Sequence, residues 1–311
     1  MGGGTGSGFG SLILSKMRIY DCIVQSFCVF PSSKQSEVVV EPYNATFGIN
    51  YLIEYSTLTH MIENDALYNI CQLTQRHHEK RDYSNVNSIV SSFMSTVSAP
   101  TRFSGSINSN IRKMSVNLVP FPRHHFMLNS LAPLNLHFDP TSSSKPIPTP
   151  ALVEQLFNKR NFLTDTDISN GRHMSAFAIF RGNDLSNHEI ENELYTMTDK
   201  QNSRFVEWIP NNIATSISRA PTKSLSTFPL KSAAYISNHT ECRAVFQKIS
   251  ERFTTMFRRR AYCHWYTATG MDEMEFVEAE SNLNDMCTEY CEWPGGTWSD
   301  EEFYDEDDYE Q

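Results

Sequence analysis

The chain has 311 residues, 40% hydrophobic and 12% aromatic, enough to bury a large core in two or so domains. Lys and Arg number 26 against 36 Asp and Glu, and the resulting net charge of −10 argues against a nucleic-acid binder and for basic partners. No stretch approaches the roughly 18 to 20 apolar residues of a membrane helix. With no basic n-region at the start either, the sequence predicts a cytosolic protein without a membrane span.

In chain order, the first feature is GGGTGSG over residues 2–8. Such a run brings backbone N–H groups close to phosphates because no Cβ intervenes, and it normally joins a buried strand to a helix. FGSLILSKMR follows as a predicted helix with Phe9, Leu12, Ile13 and Leu14 apolar, then CIVQSFCVF as a buried strand. Loop, helix and strand make the second half of a nucleotide-binding α/β unit. PSSKQSEVVVEPYNA reads as a polar turn, a short strand and a carboxylate, Glu41, ahead of Pro42; ENDALYNICQLTQ reads as a helix.

Between about residues 98 and 238 the texture is of shorter strands and turns. NLVPFPRHHFML, MSAFAIFRG, RFVEWIP and SAAYISN are the strand candidates, and INSNIRKMSVN is a helix. TPALVEQLFNKRNF reads as a helix with Thr149 as N-cap and Pro150 first in the helix, preceded by a surface loop, NLHFDPTSSSKPIPTP. Helices dominate beyond residue 239. ECRAVFQKISERFTTMFRRR carries Val245, Phe246, Ile249, Phe253, Met256 and Phe257 on one face. MDEMEFVEAESNLNDMCTEY carries Phe276, Ala279, Leu283, Met286 and Tyr290, with Glu275, Glu278 and Asp285 off that stripe. The tail SDEEFYDEDDYEQ holds eight carboxylates and no Lys or Arg; it reads equally as a solubilising segment or a docking site for basic proteins.

The seven cysteines form no CxxC pair, which suits free thiols in a reducing compartment. Cys287 and Cys291 fall one helical turn apart and read as two thiols on one helix face. The adjacent pairs His77–His78 and His124–His125 point apart and make poor metal ligands.

Taken together, GGGTGSG, VVVEPYNA, NDALYNIC, VNLVPFPRHHF, FVEWIPNN and FRRRAYCHWYTATGMDEMEFVEAESNLNDM resemble tubulin, in its β type. The resemblance implies an α/β fold: a partial doubly wound, Rossmann-like GTPase domain, an α+β intermediate domain and a C-terminal helical hairpin. The corresponding segments are residues 1–65, 66–238 (with the central helix) and 239–295, then a disordered acidic tail, 296–311. It also implies a GTP-binding subunit of cytoplasmic microtubules that pairs with α-tubulin and meets other tubulin subunits, motors and associated proteins.

By position in the motifs, Gly4, Thr5 and Gly6 match the phosphate contacts, and Glu37 and Glu41 the acidic positions near the ribose, the first usually Asp. Asn64 and Asn87 match the asparagines that read guanine, whose edge an amide can both donate to and accept from. Tyr83 matches the ring that stacks on the base. Lys113 stands where α-type chains carry a catalytic glutamate; lysine can neutralise a neighbour's phosphate but cannot act as a carboxylate base. Hydrolysis of this chain's own GTP would then be completed by an α-type neighbour, and no residue here is assigned as catalytic.

Departures fall at Pro100, Ser88 and the 135–148 loop, where the family places drug-pocket and lateral-contact residues. The family's first phosphate turn, its Mg²⁺-holding acid and its first strands lie ahead of the glycine run. The expectation is that the chain as given does not fold alone into a GTP-competent subunit; the alternative to a GTP-binding subunit is a truncated or divergent, non-enzymatic tubulin-like chain with no autonomous GTP binding.

Overall fold

The computed structural model describes residues 1–32, 38–74, 83–103, 108–134, 147–182, 185–200, 204–209, 212–219 and 231–292. The chain starts with a π-helical turn, Thr5–Phe9, running directly into α1, Gly10–Met17, and then β1, Gln25–Phe30. Next come α2, Glu41–Tyr55; β2, Leu58–Glu63; α3, Asn64–Thr74; α4, Tyr83–Arg102; α5, Ile111–Leu118; and β3, Phe126–Ala132. The remainder is α6, Thr149–Leu156; β4, His173–Gly182; α7, Asn187–Lys200; β5, Ile213–Ser218; β6, Lys231–His239; α8, Cys242–Phe257; α9, Cys263–Thr267; and α10, Glu273–Glu292.

The strands form one six-stranded sheet in the order β1-β2-β3-β6-β4-β5. β1, β2 and β3 run parallel; β6 is antiparallel to both β3 and β4, and β5 is parallel to β4. Strands buried on both faces read as continuous apolar runs, and β4 shows how each face is used. Ala176, Ala178 and Phe180 join a core with Leu152, Phe246 and Tyr290 from α6, α8 and α10. Phe177 and Ile179 join the opposite core with Leu67, Phe93 and Met114 from α3, α4 and α5. Helices therefore cover both sides, the doubly wound arrangement expected from the sequence. A third cluster around Tyr43, Phe253, Cys263 and Phe276 ties α2 to α8, α9 and α10.

The parallel and antiparallel parts meet at β2 and β3, which share a short register, Thr59 with Phe126 and His60 with Met127. Side chains reinforce that seam. The amide nitrogen of Gln25 lies 2.7 Å from His60 Nε2, and His60 Nδ1 lies 2.8 Å from Asn129 Oδ1. Asn129 Nδ2 donates to the carbonyls of Met61 and Met127 at 2.9 and 3.0 Å. Only one arrangement satisfies every group: a neutral imidazole accepting at Nε2 and donating from Nδ1. Burial pushes His60 down to about 4, which keeps it neutral.

Several elements differ from the sequence reading. The glycine run is helical rather than a loop, continuous with α1. Phe9, Leu12, Ile13, Ile19 and Tyr20 are exposed, so the apolar side of this N-terminal helix is not covered by the described residues. Val38–Val40 form a turn and not a strand, because Pro42 at the first turn of α2 suits helix initiation. RFVEWIP contributes only an isolated bridge between Phe205 and His173. Thr149 is the first residue of α6 rather than its cap, with Pro148 in the N-cap position making no side-chain cap bond. NLVPFPRHHFML holds the end of α5 and a turn before β3 begins at Phe126. The stripe of α10 (Phe276, Ala279, Leu283, Met286, Tyr290) is fully buried, as its spacing requires. His77–His78, most of the 135–148 loop and the acidic tail lie outside the described residues.

Two outcomes follow. Replacing Asn129 with leucine removes three hydrogen bonds at a sealed position and strands His60 and the Met61 carbonyl; we expect a loss of about 2–4 kcal/mol in urea unfolding at constant m-value. Besides His60, burial pushes His124 to about 4 and His239 to about 3. Their folded values are depressed, so the unfolded chain takes up protons first. The stability they contribute is complete above about pH 6.5 and falls as pH drops toward 4. Urea midpoints by circular dichroism at pH 7.5, 6 and 5 should decline steeply; a flat series would contradict neutral buried imidazoles.

Candidate functional site

In sheets of this kind ligands bind beyond the carboxyl ends of parallel strands. β1 and β2 pair in register, Gln25 with Leu58 through Phe30 with Glu63, so both end at the same side. The chain leaving β1 leads to Glu41 at the start of α2, and the chain leaving β2 becomes Asn64 at the start of α3. The glycine run is held here as well. The amino group of Met1 donates to the Val29 carbonyl at 2.8 Å, and Asn44 Nδ2 donates to the Gly2 carbonyl at 2.9 Å.

The glycines divide into two kinds. A Cβ on Gly2 would lie 3.0 Å from Glu41 Oε1, and one on Gly48 would lie 2.4 Å from the Met1 Cε and 3.3 Å from the Ser7 Cβ. At Gly2 the close neighbour is the Glu41 side chain, and at Gly48 it is Met1 and Ser7 pressing on α2. Gly3, Gly4 and Gly8 would meet nothing within 4 Å, and Gly6 only the Met1 nitrogen at 3.9 Å. Gly4 has φ −61°, an ordinary helical value, so neither conformation nor internal packing requires glycine there. What the missing side chains provide is bare backbone facing outward. The amides opening a helix lack intrahelical partners, and the helix dipole favours an anion at that end; further in, Ser7 N donates to the Gly3 carbonyl at 3.1 Å.

Glu41 stands half-buried beside this run, at the edge of a cleft of about 640 Å³ lined by Pro31, Val39, Pro42, Ile249 and Arg252. Below it, Arg252 Nη1 donates to the Ser32 carbonyl at 2.9 Å and Ser32 Oγ to Asp65 Oδ1 at 2.6 Å, fixing the exit of β1 to α8 and to the start of α3. Glu63 is buried with its carboxyl raised by desolvation, and it accepts the Asp165 amide at 2.6 Å. It serves packing and not the open face.

The structure places Gly4, Thr5 and Gly6 in the run whose Gly2 packs on Glu41, with Asn64 half-buried at the neighbouring strand end. Tyr83, 56% exposed, begins α4, and Asn87 lies exposed one turn on. α4 packs on α3 through the core of Leu67, Val86 and Ile89, so both sit on the α3 side of the sheet. Lys113 is exposed on α5, apart from this group, where α5 packs against β4 and Ser175 Oγ donates to the Leu118 carbonyl. Glu37 lies outside the described residues. Asn44 escaped the sequence reading; it lies one turn beyond Glu41 and joins the Gly2 carbonyl to the Tyr266 hydroxyl, which donates to it at 2.8 Å. Among the described residues no group of three or more His, Cys, Asp or Glu side chains comes together to hold a metal ion, so the Mg²⁺ implied by the resemblance finds no ligand set in them. No described helix is long and apolar enough to cross a membrane.

Residues 1–72 match the GTPase domain of the tubulin/FtsZ family, and residues 122–251 match the tubulin C-terminal domain. The chain is 44% identical to the tubulin beta-2 chain of Emericella nidulans over 97% of its own length and 66% of that protein. It is 43% identical to the tubulin beta-1 chain of Hypocrea rufa, over 99% of its length and 68% of that protein, and 42% identical to the tubulin beta chain of Saccharomyces cerevisiae, over 98% and 66%. The chain belongs to the tubulin family, and these relatives are β chains. It spans about two thirds of their length.

The contact between the glycine turn and α2 yields a prediction. Valine at Gly48 turns the flexible Met1 tip aside and crowds Ser7 Cβ, costing about 1 kcal/mol by overpacking and loosening the support of the glycine run. Hydrogen exchange at the Gly4–Ser7 amides should accelerate in Gly48→Val and stay unchanged in Gly3→Ala, where a methyl meets open space.

Proposed function

We propose that the chain is a β-type tubulin subunit whose described residues supply the later part of a GTP site, and that it pairs with an α-type subunit within cytoplasmic microtubules. The observation that carries this reading is the set of glycines at 3, 4 and 6. They are bare without an internal reason and sit at a helix N-terminus beside Glu41 and the carboxyl ends of two parallel strands. That arrangement suits a polyphosphate at the amides and a sugar hydroxyl donating to the carboxylate. Asn64 and Asn87 would pair with the guanine edge and Tyr83 would stack on it; Glu37 would join Glu41 at the ribose. Lys113, exposed on α5, would face a neighbouring subunit's phosphates, without serving as a base. The exposed acidic side of α10, with Glu275, Glu278 and Asp285, fits motors and associated proteins bearing basic residues.

A second reading, a chain that holds no nucleotide by itself, is favoured by a separate observation. The apolar side of α1 is exposed, with Leu12 at 52% and Ile13 at 46%, and β1 is the edge strand of the sheet. Exposed apolar surface at the edge of the sheet loosens the part of the fold that carries the glycines.

Co-sedimentation with polymerising purified tubulin tests the first reading: the tagged chain should pellet with polymer and stay soluble when polymerisation is blocked by cold. A chain found only in the supernatant under both conditions overturns it. Calorimetry with GTP on the chain alone tests the second, for which no tight binding is expected; submicromolar, magnesium-dependent binding would refute it.

A further inference from the structure

Arg258, Arg259 and Arg260 follow the end of α8, and all three are exposed. No Lys or Arg comes after Arg260 in the sequence, while the tail over 300–310 carries eight carboxylates. The other cations of α8 are engaged: Arg243 Nη1 donates to Cys291 Sγ at 2.9 Å, Lys248 Nζ to the Asp165 carbonyl at 3.1 Å, and Arg252 to the Ser32 carbonyl. Arg260 lies 3.6 Å from Glu273, whereas Arg258 and Arg259 make no ion pair among the described residues. Beside them Tyr262 is 43% and Trp265 66% exposed. Arg260 and Tyr262 have φ of 49° and 60°, a left-handed backbone that favours glycine, yet both positions keep long side chains at the surface.

We propose that the acidic tail, residues 300–310, returns to its own chain and docks on Arg258–Arg260, a strap that withholds its carboxylates from basic partners. Reach permits it. α10 runs antiparallel to α8, with Cys291 at Arg243 and Glu273 at Arg260, so its 20 residues carry the chain about 30 Å away from the arginines. Extended chain from Glu292 covers about 27 Å by Asp300 and about 45 Å by Asp305, enough to bring the acidic residues back. Charge selects the place. Glu275, Glu278 and Asp285 make the exterior of α10 repel the tail, and Glu251 puts a carboxylate into the groove between the two helices. Phe303, Tyr304 and Tyr309 are interleaved with the acids, so rings can lie on guanidiniums or against Trp265 while carboxylates meet the arginines. Tethering decides in favour of the chain's own tail. Exposed ion pairs are worth about 0–1 kcal/mol each, too little to recruit a second copy at micromolar concentration, but a short tether supplies the tail at about millimolar. The inference rests on no part of the nucleotide reading.

The test places the photo-cross-linker p-benzoylphenylalanine at Tyr304 of the full chain, irradiates at low micromolar concentration, and maps the products by peptide mass spectrometry. We expect cross-links to residues 258–266 within one chain. Their yield should fall at least about threefold at about 1 M salt, where the screening length is about 3 Å. The triple variant Arg258→Gln, Arg259→Gln, Arg260→Gln should lose them to a similar degree. So should a chain with Glu301→Gln, Glu302→Gln, Asp305→Asn and Glu306→Gln, whose changes lie outside the packed helices and leave the fold intact. Products confined to the α10 exterior or to remote segments, products joining two chains, no product at all, or a yield indifferent to salt and to the tail substitutions would each overturn the proposal.

Discussion

The structure depends on a seam only two residue pairs long. β2 and β3 join a parallel half, whose strand ends build the candidate site, to a half organised around the antiparallel β6. Backbone pairing alone makes a thin connection of it, and the chain compensates with side chains. Asn129 bridges both strands and His60 carries the bonding on to Gln25 in β1. Buried polar groups are costly unless every member is satisfied, and here the donors and acceptors match for a single protonation state. Leu163 extends the same stitching, accepting from Glu63 N and donating to the Asn129 carbonyl at 2.8 Å each.

The site inherits its geometry from that frame. With β1 and β2 held in register, α2 and α3 must start at neighbouring points, and Glu41 and Asn64 are carried there as the first residues of those helices. The glycine run adds a third wall. Its tight contacts at Gly2 and Gly48 fix it to α2, while its open glycines face outward. Close-packed and open glycines thus lie a few residues apart in the same run.

Much of this was legible in the sequence. The stripe of α10 and that of α8 have strict helical spacing and one partner face each, so they were readable without tertiary information. β4 and β6 carry short runs of small, apolar and aromatic residues, Ala176–Phe180 and Ala233–Ile236, that read as strands buried on both faces. What escaped depends on context. VVVEPYNATFGINYLIEY looks strand-like at its start, yet Pro42 and the aromatic cluster beneath Tyr43 commit it to helix. β5, IATSIS, is short and polar and is fixed only by pairing with β4. The glycine run was expected as a loop because its chemistry speaks for phosphate; its conformation follows from contacts with Met1, Ser7 and α2 that no local pattern encodes. Among site residues, the motifs located Glu41 and Asn64, whereas Asn44 acts through a partner, Tyr266, more than two hundred residues away.

The ring cluster around Tyr43 adds a second link between α2 and the C-terminal helices, beside the core they share through Ile49 and Leu52. Tyr43 stands two residues after Glu41, meets Phe253 and Phe276 edge-to-face at 5.2 and 5.4 Å, and donates to the Ala261 carbonyl at 2.9 Å. Edge-to-face rings tolerate little sliding before the contact is lost. α10 therefore cannot creep along its axis without dragging the first turn of α2, so a pull applied to the acidic exterior of the molecule registers as strain at the carboxylate beside the glycines.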